Sequence, residues 1–326
     1  MKSSNSRPQL LVIKPSSLGD IVHALQVIAS LKEQNPEVCV SWVVRDIFQD
    51  VVRSSSCVDH CIIYHRNLGM RGLWRCCRDI CRLGHFDWVW DMQGLFRSGL
   101  MTFAAKSKVK IGRYDARECA GIFYDRCIPP PGTEDKFSRK PKQLHRHHAV
   151  DILREFLPTI GAKRACALPH FHLRINGKKL PPHPYIMIAP ESRGPHKNWP
   201  HYEKLTISMC RLCPWLNVVW VGLRKNACPS LAMYRNFTDL QGKTSLLELM
   251  TIVKHSQGVI ANDSGCLHLA VAMDRPALGI FTSTDPLHSG PRAIGNSIAL
   301  SAVNPCPYFP ELEKFFFAAL RGEIIS

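Results

Sequence analysis

The sequence predicts an α/β protein made of two doubly wound halves, each built around a parallel sheet. Three observations predict it. Short continuous apolar runs, the mark of strands buried on both faces, alternate along the whole chain with segments whose apolar residues recur at helical spacing. A cluster of Gly177, Lys178, Lys179 and prolines near Asn176 to Pro184 interrupts that alternation once and reads as a linker. At 326 residues the chain is long for one domain and comfortable for two.

The first half opens with Leu10 to Ile13, a strand. Lys14 to Asp20 is a loop, and Ile21, Val22, Leu25, Ile28, Ala29 and Leu31 then repeat as a helix that Asn35-Pro36 stops. Val38 to Val44 is the next strand, completing a β-α-β unit with a right-handed crossover. Strands follow at Cys61 to Tyr64, Trp88 to Asp91 and Val109 to Gly112, with a basic helix over Gly72 to Arg82 and another helix ending near Ala105. Thr133 to His148 is polar and reads as a loop. His148 to Ile160 reads as a helix closed by Gly161.

The second half repeats the alternation. Strands are expected at Tyr185 to Ala189, Asn217 to Val221, Gly258 to Ala261 and Ala277 to Phe281. Helices are expected at Trp199 to Cys213, Ser245 to His255, Cys266 to Met273 and, last, Pro310 to Gly322. In open α/β sheets ligands sit outside the carboxyl ends of strands. Two such halves predict a central cleft with one ligand on each side.

Composition narrows the partners. Forty-two Lys and Arg against 26 Asp and Glu give a formal charge of +16. That excess points to an anionic partner or to a solvated basic face. No run of about 18 apolar residues marks a membrane span, and Met1 to Gln9 has no apolar core of a signal peptide. Fourteen cysteines without such a signal are expected to be reduced thiols of a cytoplasmic protein. Cys210 and Cys213 form a single C-x-x-C without a second pair, so no metal site is expected.

Asn262-Asp263-Ser264-Gly265 ends an apolar run and opens a helical one. A helix start carries unpaired N–H groups and a partial positive charge, and seats phosphate. Asp263 is also a good N-cap by type. His268, one turn in, either touches the phosphate or packs in the core. Lys197, in the loop Ala189 to Pro200 with Ser192 and Arg193, is either a phosphate-neutralising cation or a solvated one. Asp20, beside the first helix start, is either a first-turn acid favoured by the dipole or a general base. Arg71, Arg75, Arg78 and Arg82 recur on one helix, and Arg97, Arg113 and Arg117 lie at strand-end loops. With Arg139, Lys140, Lys142 and Arg146 they make the first half basic, either gripping an acidic ligand or facing water.

Six segments in order resemble the inverting glycosyltransferases of the lipopolysaccharide heptosyltransferase type, family 9, with the GT-B fold. They are K-P-S-S-L-G-D-I-V-H-A-L from Lys14, W-D-M-Q-G-L-F-R-S from Trp90, S-R-G-P-H-K-N-W-P from Ser192, Q-G-K-T-S-L-L-E-L from Gln241, N-D-S-G-C-L-H-L-A-V-A from Asn262 and F-T-S-T-D-P from Phe281. The resemblance implies two Rossmann-like domains, acceptor-binding over 1–176 and nucleotide-sugar-binding over 177–309, with residues 310–326 crossing back as a helix. It implies ADP-heptose as donor, an acidic lipopolysaccharide-core acceptor, inversion, and no metal or other cofactor. Asp20 matches the catalytic base. Ser192, Arg193, Lys197, Asp263, Ser264, Gly265 and His268 match donor-binding positions. Gln241, Gly242 and Thr244 match the loop beside the adenine. Arg71, Arg75, Arg97, Arg113 and Arg117 are the acceptor-side candidates.

One departure stands out. Many members carry a Glu for the donor ribose after the strand that here is Val218 to Val221, where this chain has Gly222-Leu223-Arg224-Lys225-Asn226. Another nucleotide-sugar with a different glycan acceptor is therefore the nearest alternative. A nucleic-acid-binding role lacks interleaved aromatics or a recognition motif, and a nicotinamide enzyme lacks G-x-G-x-x-G in the first loop. The basic, apolar first half leaves room for peripheral contact with the cytoplasmic face of an inner membrane.

Overall fold

The computed structural model describes residues 7–132, 147–173, 180–192, 194–223, 228–292, 294 and 299–303. The expected terminal helix lies outside them, as do Arg139, Lys140, Lys142, Arg146 and Arg193. The chain forms two compact units that divide between His172 and Leu173.

Unit 1 runs β1 Gln9–Ile13, α1 Leu18–Gln34, β2 Cys39–Arg45, α2 Gln49–Ser54, β3 His60–Tyr64, α3 Gly69–Arg82, β4 His85–Asp91, α4 Phe96–Ala104, β5 Lys106–Gly112, β6 Arg126–Cys127 and α5 Ala149–Arg154. Its sheet has the order β3-β2-β1-β4-β5-β6, with every pair parallel. Leu10 to Ile13 are fully buried because β1 is central and covered on both faces. The helix expected over His148 to Ile160 breaks: α5 is followed by a 3-10 turn over Leu157–Ile160. Pro158 has no N–H for the α-helical ladder. Gly161 closes the segment in the left-handed region, φ +83°, as the sequence led one to expect.

Unit 2 runs β7 Tyr185–Ala189, α6 Tyr202–Leu212, β8 Asn217–Trp220, β9 Phe237–Asp239, α7 Leu246–His255, β10 Gly258–Asn262, α8 Gly265–Ala272, β11 Ala277–Phe281, α9 Pro286–Ser289 and β12 Ala299–Val303. Its order, β12-β11-β10-β7-β8-β9, is again all parallel. Read from the other edge it repeats the topology of the first sheet. Two apolar clusters cover its faces, one around Ile188, Trp199 and Trp220 and the other around Met187, Leu267 and Phe281.

This topology places the sites. Strand order reverses direction between β1 and β4 in the first sheet and between β7 and β10 in the second. A crevice opens outside the carboxyl ends at such a switch point. The loops that cross it are Lys14–Ser17 and Met92–Leu95 in unit 1, and Pro190–Trp199 and Asp263–Ser264 in unit 2.

Candidate functional site

In unit 2, β10 ends on Asn262, whose buried amide fastens the loop after β7. Asn262 Nδ2 donates to the Pro190 carbonyl at 2.7 Å, and its Oδ1 accepts from the Trp199 N–H and the Tyr202 hydroxyl, both at 3.1 Å. This clamp brings Lys197 onto the next residue, Asp263. Lys197 Nζ lies 2.7 Å from Asp263 Oδ2, and Thr284 Oγ1 donates to the same oxygen at 2.8 Å. His268 Nε2 sits 3.9 Å from Asp263 Oδ1, behind it and buried. Burial alone would raise the Asp263 pKa; His268, Lys197 and Thr284 outweigh it and hold the carboxyl well below the usual range.

The geometry corrects two local readings. Asp263 does not cap the helix: the N-cap is Ser264, in extended backbone, and α8 starts at Gly265. Lys197 is not a solvated loop cation, because its ammonium is paired. Ser192 is used inside its own loop, its hydroxyl donating to the Gly194 carbonyl at 2.8 Å and its N–H to Asn198 Oδ1 at 2.8 Å. Thr282 Oγ1 holds the His196 carbonyl at 3.0 Å. The segment after β11 thus pins the cation loop and Asp263 through two threonines. The result is an ammonium beside the open start of an eight-residue helix, a pairing suited to a diphosphate.

Farther along the same edge, Gln241 is fully buried and neither atom of its side-chain amide has a partner among the described residues. Gly242 takes the left-handed region, φ +66°, and its N–H returns to the Gly222 carbonyl at 2.8 Å. Gly222 keeps a gap open: a Cβ there would lie 3.0 Å from Glu191 Oε2 and 3.3 Å from Gln241 Nε2. Thr244 is half-buried at the end of this loop.

In unit 1, Asp20 is half-buried in the first turn of α1. Its Oδ2 accepts from the Ser17 N–H at 3.0 Å and the Ser17 hydroxyl at 2.8 Å. Burial opposes its charge, but Lys14, those two bonds and His23 overcome it and hold the carboxyl well below the usual range. Lys14 is buried at the end of β1, and that burial pulls its own pKa down against the pull of Asp20. Asp20 is therefore both a first-turn acid and a carboxylate kept ionised.

Asp91 ends β4 in the neighbouring loop and is fully buried. It accepts from the Gln93 and Gly94 N–H groups at 2.9 and 3.0 Å and from the Tyr124 hydroxyl at 2.7 Å. Gln93 Oε1 in turn accepts from the Ser16 N–H at 3.3 Å, tying this turn to the Asp20 loop. Tyr124 reaches Asp91 by lying over Gly112, where a Cβ would come within 2.0 Å of the ring.

Beside these loops is a pocket of about 220 Å³ lined by Ser16, Arg45, Tyr64, Arg66, Gln93, Arg97 and Glu118, among others. Arg97 is the one acceptor-side candidate in its wall. Arg113 grips Asp115 through two bonds of 2.8 and 2.7 Å, and Arg117 is exposed with its N–H on the Gly94 carbonyl. Arg71 and Arg75 lie on the exposed face of α3, outside the pocket. Arg45 and Arg66 escaped the sequence reading. Arg45 ends β2 and Arg66 follows β3, and only pairing of the two strands brings them together. Among the described residues no group of three or more His, Cys, Asp or Glu is placed to hold a metal ion.

The model of glycosyltransferase family 9 (heptosyltransferase) matches residues 74–314. The chain is 24% identical over 341 residues to the lipopolysaccharide core heptosyltransferase OpsX of Haemophilus influenzae, covering 96% of this chain and 91% of that one. It is 27% identical over 314 residues to lipopolysaccharide heptosyltransferase 1 of Pseudomonas aeruginosa, covering 91% and 85%. Among solved structures, E. coli heptosyltransferase WaaC with ADP superposes with a TM-score of 0.73 at 20% identity, over 95% of this chain and 99% of that one. E. coli ADP-heptose lps heptosyltransferase II gives 0.69 at 15% identity, over 96% and 98%. These likenesses match the GT-B fold expected from the motifs.

Proposed function

We propose, from the premise that the chain belongs to glycosyltransferase family 9, that it transfers a heptose from ADP-heptose to a hydroxyl of an acidic lipopolysaccharide-core acceptor, with inversion. The observation that carries this reading is the Lys197 ammonium set 2.7 Å from Asp263, beside the start of α8. A leaving diphosphate gains an ammonium and unpaired backbone N–H groups there, which stabilise the charge that develops as the glycosidic bond breaks. The relatives support the donor: their names include heptosyltransferases and one structure holds ADP.

Asp20 takes the proton of the acceptor hydroxyl. Held as a carboxylate by Lys14 and Ser17, it is always in the basic form near neutrality but is a weak base. Such a base suits an oxocarbenium-like displacement, in which the hydroxyl gives up its proton late. The oxygen bonds to the anomeric carbon on the face opposite the diphosphate, which leaves with the bonding pair. Gln241 offers its unpaired amide to the nucleoside, and Asp263 and Lys197 also reach the sugar. The Arg45, Arg66 and Arg97 pocket receives a carboxylate or phosphate of the acceptor.

Calorimetric titration with ADP, UDP, GDP and their sugars tests this reading, followed by transfer from ADP-heptose to a deacylated acidic core and determination of the product's anomeric configuration. Tight ADP binding and an inverted linkage are expected. No affinity for ADP or its glycosides, or a strict requirement for a divalent cation, would refute it.

A further inference from the structure

In unit 2, β7, β8 and β9 are neighbours in the sheet, and their carboxyl ends bring three residues together. β7 leads into Glu191, β8 into Gly222 and β9 into Gln241. A Cβ at Gly222 would lie 3.0 Å from Glu191 Oε2, 3.4 Å from Glu191 Cδ and 3.3 Å from Gln241 Nε2. Glycine at 222 therefore leaves the space in which a carboxylate and an amide rest at the end of β8. The Val221 N–H donates to the Ile188 carbonyl at 2.9 Å, and the Gly222 carbonyl accepts from the Gly242 N–H at 2.8 Å, so the three strand ends are clipped to one another.

The acid at the end of β9 has a different use. Asp239 Oδ1 accepts from the Gln241 N–H at 3.0 Å, and its Oδ2 lies 4.0 Å from Lys243 Nζ. Residues 222–226, which follow β8, hold no acid. Glu191 is half-buried, and the Gln241 amide beside it is buried without a partner among the described residues. The sheet order sets both in line with the phosphate seat: β10 brings Asp263, Lys197 and the start of α8, and β7, β8 and β9 follow in turn. Neighbouring strands lie about 4.8 Å apart, so the line from β10 to β9 covers roughly 14 Å. A nucleoside diphosphate laid along it, with its phosphates at Lys197, brings its ribose to Glu191 and its base toward Gln241. A carboxylate only accepts hydrogen bonds, and a ribose offers two adjacent hydroxyl donors; an acid near a strand end takes them in other doubly wound folds.

We infer that Glu191 receives the 2′- and 3′-hydroxyls of the donor's ribose and selects ribonucleotides, and that Gly222 makes the room in which its carboxylate does so. A nucleotide without those hydroxyls leaves the carboxylate without its donors, and a 2′-phosphate sets like charges against each other. The inference deepens the proposed donor site and rests on a nucleoside diphosphate lying there. It depends on neither the base nor the sugar transferred.

The test is calorimetry of the full chain with ADP, 2′,3′-dideoxy-ADP and adenosine 2′-phosphate 5′-diphosphate. The parent is expected to bind ADP about ten-fold or more tightly than the dideoxy nucleotide. Glu191→Gln should weaken ADP, leave the dideoxy nucleotide within about two-fold of the parent and so shrink the ratio to roughly three-fold or less. The same variant should bind the 2′-phosphorylated nucleotide more tightly than the parent does. A general disturbance of the loop would weaken all three ligands together. Gly222→Ala drives its Cβ against the flexible end of Glu191 and should lose the same discrimination, with the parent's circular dichroism kept. Equal affinity of the parent for ADP and its dideoxy form, an unchanged ratio in Glu191→Gln, or no affinity for any nucleoside diphosphate would overturn the inference. Binding of UDP in place of ADP would overturn the ADP-heptose reading alone, because UDP and 2′,3′-dideoxy-UDP then read the same ribose contact.

Discussion

Replacing Lys197 with methionine removes the ammonium and keeps most of the stem. In the protein as it stands, that ammonium has two effects: it offers a cation to a diphosphate, and it covers the charge of Asp263, whose side chain is only 9% exposed. A hydrogen bond from a charged donor contributes about 1.5–3 kcal/mol. Its loss weakens ADP binding roughly ten- to a hundred-fold, at about 1.4 kcal/mol per decade. The uncovered carboxylate adds repulsion toward the diphosphate. Asp263→Asn placed in the Lys197→Met background therefore recovers affinity, with a coupling of about 0.5–3 kcal/mol across the double-mutant cycle. Calorimetry with ADP on the four proteins measures it. A Kd for Lys197→Met within about two-fold of the parent, against the ten-fold minimum expected, would refute the phosphate role. Strictly additive single effects would refute the shielding argument. Thermal melts give a second readout. The Asp263 carboxyl is held low, so its stabilisation is complete above the unfolded carboxylate pKa of about 3.9 and is lost as pH falls through the lower folded value. Without Lys197 the folded value rises. The variant's deficit in Tm is therefore widest at neutral pH and narrows only as pH falls through the variant's own raised value toward the parent's lower one.

Three other outcomes follow from the same geometry. Asp20→Asn is expected to lower kcat by about 10²–10⁴-fold while leaving the Kd for ADP unchanged, measured by turnover and calorimetry; near-normal turnover would remove it as the base. Gln241→Leu is expected to leave Tm unchanged or raised, because it deletes a buried amide with no partner, and to weaken ADP binding; a fall in Tm with normal affinity would make it a packing residue. Tyr124→Phe takes a donor from buried Asp91 and is expected to cost about 1.5–3 kcal/mol in denaturant unfolding at pH 8. Burial, ahead of the opposing pull of its donors, already raises the Asp91 pKa, so stability falls as pH rises through that value; the variant raises it further, and its cost shrinks toward pH 4.

The fold was legible because parallel strands covered on both faces, such as Leu10 to Ile13 and Val259 to Ala261, are written as unbroken apolar runs. Edge elements escaped for the converse reason: β9 is three half-buried residues and β6 only two, too short to carry a period. Local chemistry was legible in type and not in geometry. Asp263 looks like a cap by its neighbours in sequence, yet its partner is Lys197, 66 positions away. Asp20 could be read two ways, as a first-turn acid or as a general base; the structure shows the first-turn acid and a carboxylate kept ionised. Arg45 and Arg66 could not be singled out among the many arginines before β2 and β3 were paired. Asp91 could have been flagged by a simpler signal, an acid at the end of an apolar run in W-D-M-Q-G. Its role as the anchor of the turn that holds Ser16 depends on Tyr124, which comes from beyond the next strand.

Gly112 and Tyr124 are in effect one position shared by two residues: the ring occupies the volume that a side chain at 112 would need, within 2.0 Å of its first carbon. Neither can drift alone. As the lineage diverges, any change that fills 112 must evict the phenol, strip Asp91 of a donor and slacken the turn that holds Ser16, in the wall of the arginine pocket. Loss of activity by that route would look like a fault in chemistry while its origin was a crowded strand, and the remedy would be a smaller neighbour at 124 together with an uncharged residue at 91.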